Sequence, residues 1–168
     1  MKENQEKKNM FIESYEKYAN DIFRYCVYRV FDRERAKELM QESFTKTWQY
    51  MGKDKEIDNM RAFLYKVAHN LCVNEIIRPK AYSLDGMEEK KGFDPEDKHT
   101  SPPEMAVETS LLLKKMEFLS PKFREILKLR YIDDLTVSEI AKLLNMIPNT
   151  VSVNIRRAEE LLRELYNK

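Results

Sequence analysis

Apolar residues recur at three- and four-residue steps along most of the chain, which is the spacing of one buried face on an α-helix. In the first half of the sequence this pattern predicts three helices. The first covers residues 10–30, the second follows Asp32 and ends at Gly52, and the third starts near Met60 and stops before Pro79. Asp32 suits a helix N-cap, and the residue before a proline disfavours helical dihedrals. The first half is therefore expected to form a small helical domain.

The helical periodicity fails between Lys80 and Pro103, where the sequence is KAYSLDGMEEKKGFDPEDKHTSPP. This stretch is polar, acidic and rich in turn-forming residues. It is also longer than an ordinary loop in a compact domain. We therefore predict a flexible acidic linker over residues 79–103, between a domain at residues 1–78 and a second domain at residues 104–168.

Helical periodicity returns after the linker, and start and stop signals divide the rest of the chain. Ser120 and Pro121 are the residue types of a helix N-cap and a first helical position. Thr136 and Glu139 have the spacing of a capping box, and Asn145 tolerates the left-handed conformation that often ends a helix. The chain has only three glycines and six prolines. Together these features predict an all-α fold of two small helical domains.

The stretch EIAKLLNMIPNTVSVNIRRAEELL has the features of a helix-turn-helix. A small residue, Ala141, stands where the two helices would cross, with apolar residues on either side. Residues 145–147 form a short turn, and Pro148 falls in the first turn of the second helix, where its missing N–H costs little. The same spacing fits a plain helical hairpin inside a bundle, so spacing alone leaves both interpretations open.

If this motif binds duplex DNA, the outward side chains of its second helix make the contact. Asparagine can bind adenine, and arginine can bind guanine or phosphate. The predicted contact residues are Asn149, Thr150, Ser152, Val153, Asn154, Arg156 and Arg157. A solvated helix face is the alternative for the two arginines. Glu159, Glu160 and Glu164 follow and would repel phosphates, so DNA contact is expected in the first half of the helix.

The chain is almost neutral, with a formal net charge of +1 over 168 residues. Residues 1–78 carry +2, residues 79–119 carry −3, and residues 120–168 carry +2. Because non-specific DNA affinity grows with the number of phosphates neutralised, such a chain is expected to bind duplex DNA weakly by itself. Either it does not bind DNA, or a partner supplies the missing affinity.

Membrane insertion, secretion, metal binding and catalysis all lack support in the sequence. No apolar run approaches the ~18 residues of a membrane span, and the N-terminus lacks the apolar core of a secretory signal, so we expect a cytoplasmic protein. Cys26 and Cys72 lie in helical patterns and are expected to be buried, reduced thiols. His69 and Cys72 supply only two of the about four ligands that zinc needs, and His99 lies in the predicted linker. We expect no metal, no cofactor and no enzymatic activity.

Two separate stretches resemble one family, the bacterial RNA polymerase sigma factors of the extracytoplasmic-function (ECF) group. The stretch RVFDRERAKELMQESFTKTWQYM, followed by MRAFLYKVAHNLCVNEIIR, is similar to the family's second conserved region. The stretch FLSPKFREILKLRYIDDLTVSEIAKLLNMIPNTVSVNIRRAEELLREL is similar to its fourth region. The resemblance implies a sigma factor that binds core RNA polymerase and promoter DNA, directs promoter-specific initiation, and is held inactive by an anti-sigma factor.

The resemblance also implies roles for residues of the first domain. In the family, the second region binds the clamp helices of the polymerase's largest subunit. The matching positions are Glu38, Leu39, Met40, Gln41, Glu42 and Phe44, of which Leu39, Met40 and Phe44 are also at core spacing. The same region melts and captures the minus-ten element. The matching positions are the polar loop 53–59, with Asn59, and Arg61, Lys66, Asn70, Asn74 and Arg78 on the third helix.

Two further expectations concern that third helix and its aromatic neighbours. Arg61, Asn70, Asn74 and Arg78 are expected to reach one side of the helix. Trp48, Phe63 and Tyr65 are candidates for stacking on bases. Core packing is the favoured alternative for Trp48 and Phe63, and an equal one for Tyr65.

In the family, the fourth region binds the minus-thirty-five element, and there the chain departs from the usual pattern. Ile147 stands where serine is common, and Ser152, Val153 and Asn154 replace Lys-Ser-Arg. A helix cap and two cations are missing, although Pro148 or Asn149 could partly replace the cap. A weaker duplex contact or an unusual promoter is expected.

Two other functions remain open on the sequence. One is an operator-binding regulator that uses only the C-terminal helix-turn-helix and needs no polymerase. The other is an adaptor or decoy that binds polymerase without opening promoters, which the altered recognition helix would suit.

Overall fold

The structure, a computed structural model, describes residues 2–53, 55–78 and 103–167. These residues form seven α-helices and one π-helical segment, with no strand among them, and the predicted all-α fold is confirmed. The chain divides into two compact units, Met1–Phe93 and Asp94–Lys168. The predicted linker, residues 79–103, lies outside the described residues except for Pro103. Its flexibility and the predicted domain bounds therefore stay predictions.

The described part of the first unit forms three helices, α1 (Lys2–Val30), α2 (Arg33–Met51) and α3 (Met60–Ile77). α1 begins well before the predicted start at residue 10, because the charged residues ahead of it continue the helix. Asp32 caps α2 as predicted and accepts a hydrogen bond from the Arg35 N–H at 2.9 Å. Asn59 caps α3 in the same way. Because the side chains of Asp32 and Asn59 satisfy backbone donors at the helix starts, both starts are fixed locally by the sequence.

Each helix of the first unit packs against the other two. The core combines one apolar face from each helix. Fully or almost fully buried members include Ile22, Cys26, Leu39, Leu64, Ala68 and Cys72. Both cysteines are buried and outside any disulfide among the described residues, so the predicted buried, reduced state is confirmed.

The second unit contains α4 (Pro103–Met116), α5 (Pro121–Leu127), a π-helical segment (Lys128–Ile132), α6 (Val137–Leu144) and α7 (Pro148–Tyr166). Ser120 caps α5, with Pro121 in its first turn. The capping box at the start of α6 is complete, since Thr136 and Glu139 bond each other's backbone N–H. These local predictions are confirmed.

α7 crosses the second unit and carries most of its core contacts. Its Ala158 is fully buried among Met116, Leu119 and Leu127, which come from α4, the connection after it and α5. Val151, nearer its start, is also fully buried. One side of α7 therefore packs in the core. The opposite side of its first half faces solvent. None of the described helices is long and apolar enough to cross a membrane.

Candidate nucleic-acid interfaces

α6 and α7 form the predicted helix-turn-helix around a closed three-residue turn. Asn145 adopts the left-handed conformation, with φ 53° and ψ 46°. The N–H groups of Asn145 and Met146 both donate to the Ala141 carbonyl, the second at 2.8 Å. Ile140 and Val151 are fully buried beside Ala141, which is 4% exposed. A larger side chain than alanine at this crossing would force the helices apart.

The start of α7 lacks a side-chain cap. Ile147 occupies the N-cap position, makes no capping hydrogen bond and is 70% exposed. Pro148 follows in the first turn, where its fixed φ suits the helix. The first turn of α7 is therefore held by Pro148 and by packing of Val151.

Most of the predicted contact side chains of α7 do point outward. Exposed members are Asn149, Thr150, Ser152, Arg156 and Arg157. Val153 is half-buried. Asn154 is only 5% exposed, so its prediction as an outward base-contacting residue is wrong. Three residues after Val151 and four before Ala158, Asn154 shares their buried face, and its Nδ2 finds no hydrogen-bond partner among the described residues.

Acidic groups on α7 lie close to the predicted contact surface. Arg156 Nε lies 3.9 Å from Glu160 Oε1, and both side chains are largely exposed. The Tyr131 hydroxyl, from the π-helical segment, donates a hydrogen bond to Glu159 Oε1. Glu159 and Glu160 thus hold a tyrosine hydroxyl and an arginine at the edge of the surface where phosphates would lie.

On α3, the predicted minus-ten residues divide between two sides of the helix. Lys66, Asn70 and Asn74 are spaced four apart, so they share a side, and the two asparagines are exposed. Arg61 lies nine residues before Asn70, which is two and a half helical turns, so the expectation that they share a side is wrong. The Arg61 guanidinium lies over the Tyr65 ring instead, 5.4 Å from its centroid.

Two other predicted minus-ten residues lie at the ends of α3. Arg78 follows the last turn and is exposed, and its backbone N–H donates to the Asn74 carbonyl. Asn59 is exposed at the first turn, where its side chain is already engaged as the cap.

The three candidate stacking aromatics differ in exposure. Tyr65 is 1% exposed, so it cannot stack on a base and that alternative is wrong. Phe63 is half-buried, with its ring 4.7 Å from that of Tyr50. Trp48 is 40% exposed, and its ring centroid lies 5.0 Å from that of Phe11. Trp48 is therefore the candidate with the most free aromatic surface.

The predicted polymerase-binding residues of α2 also separate by burial. Leu39 is 1%, Met40 8% and Phe44 3% exposed, so their core spacing is confirmed and none offers a contact surface. Their assignment as partner-contacting residues is therefore corrected. The outward positions that remain are Glu38, Gln41 and Glu42.

The two carboxylates among these residues both lie beside a cation. Glu38 accepts a hydrogen bond from Arg35 at 2.6 Å, and the other end of that guanidinium reaches Glu75 on α3 at 2.7 Å. Glu75 and then Glu38 raise the pKa of Arg35 by hydrogen bonding to it. Glu42 lies 3.5 Å from Lys46. Each carboxylate that α2 presents therefore lies beside a cation, and Arg35 links α2 to α3.

A polar contact in the core of the first unit was missed by the sequence analysis. Tyr25 is fully buried, and its hydroxyl shares a hydrogen bond with His69 Nδ1 at 2.9 Å. Tyr25 lies three residues after the buried Ile22, and this helical spacing could have indicated its burial. His69 had been considered only as a metal ligand.

Comparison with known proteins identifies both units. The Sigma-70 region 2 family matches residues 14–80, and the Sigma-70, region 4 family matches residues 110–162. The two matches follow each other in the order expected and together span most of the chain. α2 and α3 lie within the first match, and α6 and most of α7 lie within the second.

Individual relatives agree with these matches. The chain is 28% identical over 156 residues to the ECF RNA polymerase sigma factor SigW of Bacillus subtilis, covering 88% of this chain and 83% of that protein. It is 24% identical over 159 residues to the RNA polymerase sigma factor YlaC of the same organism, covering 92% and 90%. In fold it resembles the sigma factor RpoE of Bartonella quintana, solved with the anti-sigma factor NepR, with a TM-score of 0.70 at 16% identity over 94% of this chain and 96% of that one. The chain therefore belongs to the sigma-70 family of RNA polymerase sigma factors, in its ECF group.

Proposed function

We propose that this protein binds core RNA polymerase and directs it to specific promoters. Its first unit opens and holds the minus-ten element, and its second unit binds the minus-thirty-five element. The observation that carries the proposal is the presence, in one chain and in order, of regions 2 and 4 of the sigma-70 family on two separate helical units.

The second unit has a surface suited to the major groove of duplex DNA. A recognition helix places its N-terminal residues at base edges. On α7 those residues are the exposed Asn149, Thr150 and Ser152, and Arg156 and Arg157 follow within two turns. Amides and hydroxyls can bind base edges and arginines can bind phosphate or guanine. Since Asn154 is buried, sequence specificity is assigned to these exposed residues.

The first unit has a surface suited to single-stranded DNA. Binding of an opened strand combines cations for phosphates with aromatic rings on which bases stack. Lys66, Asn70, Asn74 and Arg78 supply cations and amides along one side of α3. Trp48 is one of the exposed aromatic residues of the same unit, together with Tyr15 and Phe31. We assign minus-ten contact to the α3 residues and leave Arg61 out, because its guanidinium lies against Tyr65.

Polymerase contact is assigned to the outward side of α2. Glu38, Gln41 and Glu42 present two carboxylates and an amide there. Glu38 lies beside Arg35, and Glu42 lies beside Lys46. A basic or amide-bearing partner surface would complement this side.

The near-neutral net charge fits this division of work. Two weak DNA-binding units on one chain gain effective concentration once polymerase holds them on the same promoter. Polymerase also supplies phosphate contacts that the free chain lacks. The free protein, with a net charge of +1, stays off bulk DNA.

We further propose that the protein is cytoplasmic, catalyses no reaction itself, and is held inactive by an anti-sigma factor. The exposed Ile147, with the half-buried Val153 on the same helix start, offers apolar surface for such a partner. Capture of the tagged protein from unstressed cells should recover a protein besides polymerase subunits. Recovery of polymerase subunits alone would count against this part of the proposal.

In vitro transcription tests the proposed function. Purified protein is added to sigma-free core polymerase from the same cells, over fragmented genomic DNA, and the transcripts are sequenced. Initiation downstream of a shared pair of elements is the expected result. Core binding without initiation would support the decoy function instead, and duplex binding without core binding would support the operator-binding regulator.

A further inference from the structure

The buried contact between Tyr25 and His69 joins α1 to the helix that carries the proposed minus-ten residues. Tyr25 is fully buried on α1, and His69 is half-buried on α3. Their hydrogen bond, at 2.9 Å between the hydroxyl oxygen and Nδ1, is directional. Apolar packing tolerates small rotations of a helix, whereas this bond breaks if α3 rotates or slides by a fraction of a turn.

The surroundings of Tyr25 hold its ring in one orientation. The Arg29 guanidinium lies over one face of the ring, 3.4 Å from the centroid, and donates a hydrogen bond to the Tyr25 carbonyl at 3.0 Å. The Tyr65 ring meets it edge-on, at 5.3 Å between centroids and 84° between planes. Arg61 in turn covers Tyr65. The Tyr25 hydroxyl is therefore held in one position, and its hydrogen bond to His69 attaches α3 there.

His69 is close in sequence to residues on the proposed DNA-binding side of α3, so a bond that fixes His69 also limits their movement. It directly precedes Asn70 and follows Lys66 by three residues, so all three lie within five consecutive residues, little more than one turn of the helix. We propose that Tyr25 and His69 are positioning residues for capture of the minus-ten strand, because they set the rotation of α3 about its axis. This inference rests on the proposed function of α3.

A purely structural role would also cost stability when the hydroxyl is removed, so the test needs a matched control. Thr47 provides one. Its hydroxyl is fully buried in the same unit and donates to the Ser43 carbonyl at 2.8 Å, within its own helix. Thr47→Val removes a buried hydroxyl without loosening α3, while Tyr25→Phe removes one that joins two helices.

His69 allows a rescue experiment, since it is only half-buried. In His69→Asn, the side-chain amide occupies the place of Nδ1 relative to Cβ and can keep the bond to Tyr25. In His69→Leu the bond is lost and the apolar volume is kept. The four variants are compared with the unaltered chain for melting temperature, for affinity for core polymerase, and for the rate of promoter opening. Opening is followed by permanganate reactivity of minus-ten thymines at a promoter mapped by transcription.

Tyr25→Phe and His69→Leu should slow promoter opening by roughly three- to tenfold, the effect of one lost hydrogen bond. Their affinity for core polymerase should stay the same. His69→Asn should open promoters at close to the normal rate, and so should Thr47→Val, even where its melting temperature falls as far as that of Tyr25→Phe. Equal opening rates for Tyr25→Phe and Thr47→Val, or for His69→Asn and His69→Leu, would overturn the inference. Failure of the proposed function is seen separately, as no initiation by the unaltered chain.

Discussion

Arg156 and Glu160 lie one turn apart on α7, with Arg156 Nε 3.9 Å from Glu160 Oε1. An exposed pair of this kind contributes little to stability. Its position matters more, because Arg156 is one of two arginines on the proposed duplex-binding surface. A phosphate bound by Arg156 would lie close to the Glu160 carboxylate, which competes for the guanidinium and repels the phosphate.

Neutralising Glu160 is therefore expected to strengthen duplex binding by the free protein. Glu160→Gln should bind a duplex carrying the mapped minus-thirty-five element about two- to fivefold more tightly at low salt, with a smaller gain at high salt. Fluorescence anisotropy of a labelled duplex measures this. Glu13→Gln, an equal charge change at an exposed site on α1, is the control and should have little effect. Equal gains for both variants would mean that net charge alone governs binding.

The contact between Tyr131 and Glu159 predicts a pH dependence. The pKa of Tyr131 is raised above its ordinary value of 10.0, chiefly because its hydroxyl donates to Glu159, with burial and the carboxylate charge adding to this. A pKa raised by folding means that the contact stabilises the protein fully below the unfolded-state pKa, and that this stabilisation is lost as the pH rises through the folded-state pKa. The free energy of unfolding of the wild type, minus that of Tyr131→Phe, should be constant up to about pH 10 and shrink above it.

NMR of ¹³C-labelled tyrosine ring carbons can follow this titration directly. The pKa of Tyr131 read from this signal should lie above its ordinary value in the wild type. In Glu159→Gln it should return towards the ordinary value. An unchanged titration in Glu159→Gln would contradict the assigned cause of the shift.

The left-handed conformation of Asn145 predicts a difference between two small substitutions. Alanine at φ 53° meets a steric penalty that glycine avoids. Asn145→Ala should lower the free energy of unfolding by about 1 kcal/mol relative to Asn145→Gly. Urea denaturation measures both, and Asn149→Ala, at an exposed helical site, is the control with little expected change. Equal stability of the Ala and Gly variants would mean that the turn relaxes out of this conformation.

The burial of Asn154 predicts which asparagine of α7 contacts bases. Asn149→Ala should weaken holoenzyme binding to the mapped promoter, by about 1–3 kcal/mol if Asn149 makes a two-bond contact to adenine. Asn154→Ala should leave the base preferences unchanged, because its side chain faces the core. Competition between promoter variants altered at single minus-thirty-five positions measures both. A changed base preference in Asn154→Ala would show that α7 turns on binding.

Local signals in the sequence predicted much of the fold. Asp32, Ser120 and the Thr136–Glu139 capping box each act within one helical turn, so their effect can be recognised from neighbouring residues alone. The left-handed conformation of Asn145 is also a local signal that neighbouring residues reveal. The start of α1 was not predicted, because its charged first turns show no apolar pattern from which a helix could be recognised.

The side of a helix that a polar residue occupies was harder to predict. Asn154 was placed outward because asparagine is polar, yet its spacing from Val151 and Ala158 put it on the buried face. Arg61 was grouped with Asn70 without regard to the two and a half turns between them. Tyr65 and Tyr25 show a further limit. The two rings contact each other, and Tyr25 also bonds His69, so these contacts join residues far apart in the sequence. Spacing along one helix does not show which residues of another helix will pair with it.

The central claim, that the two units divide promoter recognition, is tested most directly by transcription from four versions of one mapped promoter. The versions carry both elements, either element alone, or neither, and each is transcribed by holoenzyme with the wild type, Arg156→Ala/Arg157→Ala or Asn70→Ala/Asn74→Ala. The arginine variant should initiate equally with or without the minus-thirty-five element, while still requiring the minus-ten element. The asparagine variant should still respond to the minus-thirty-five element and lose much of its preference for the native minus-ten sequence. If both variants keep the wild-type response to both elements, these surfaces do not recognise the promoter.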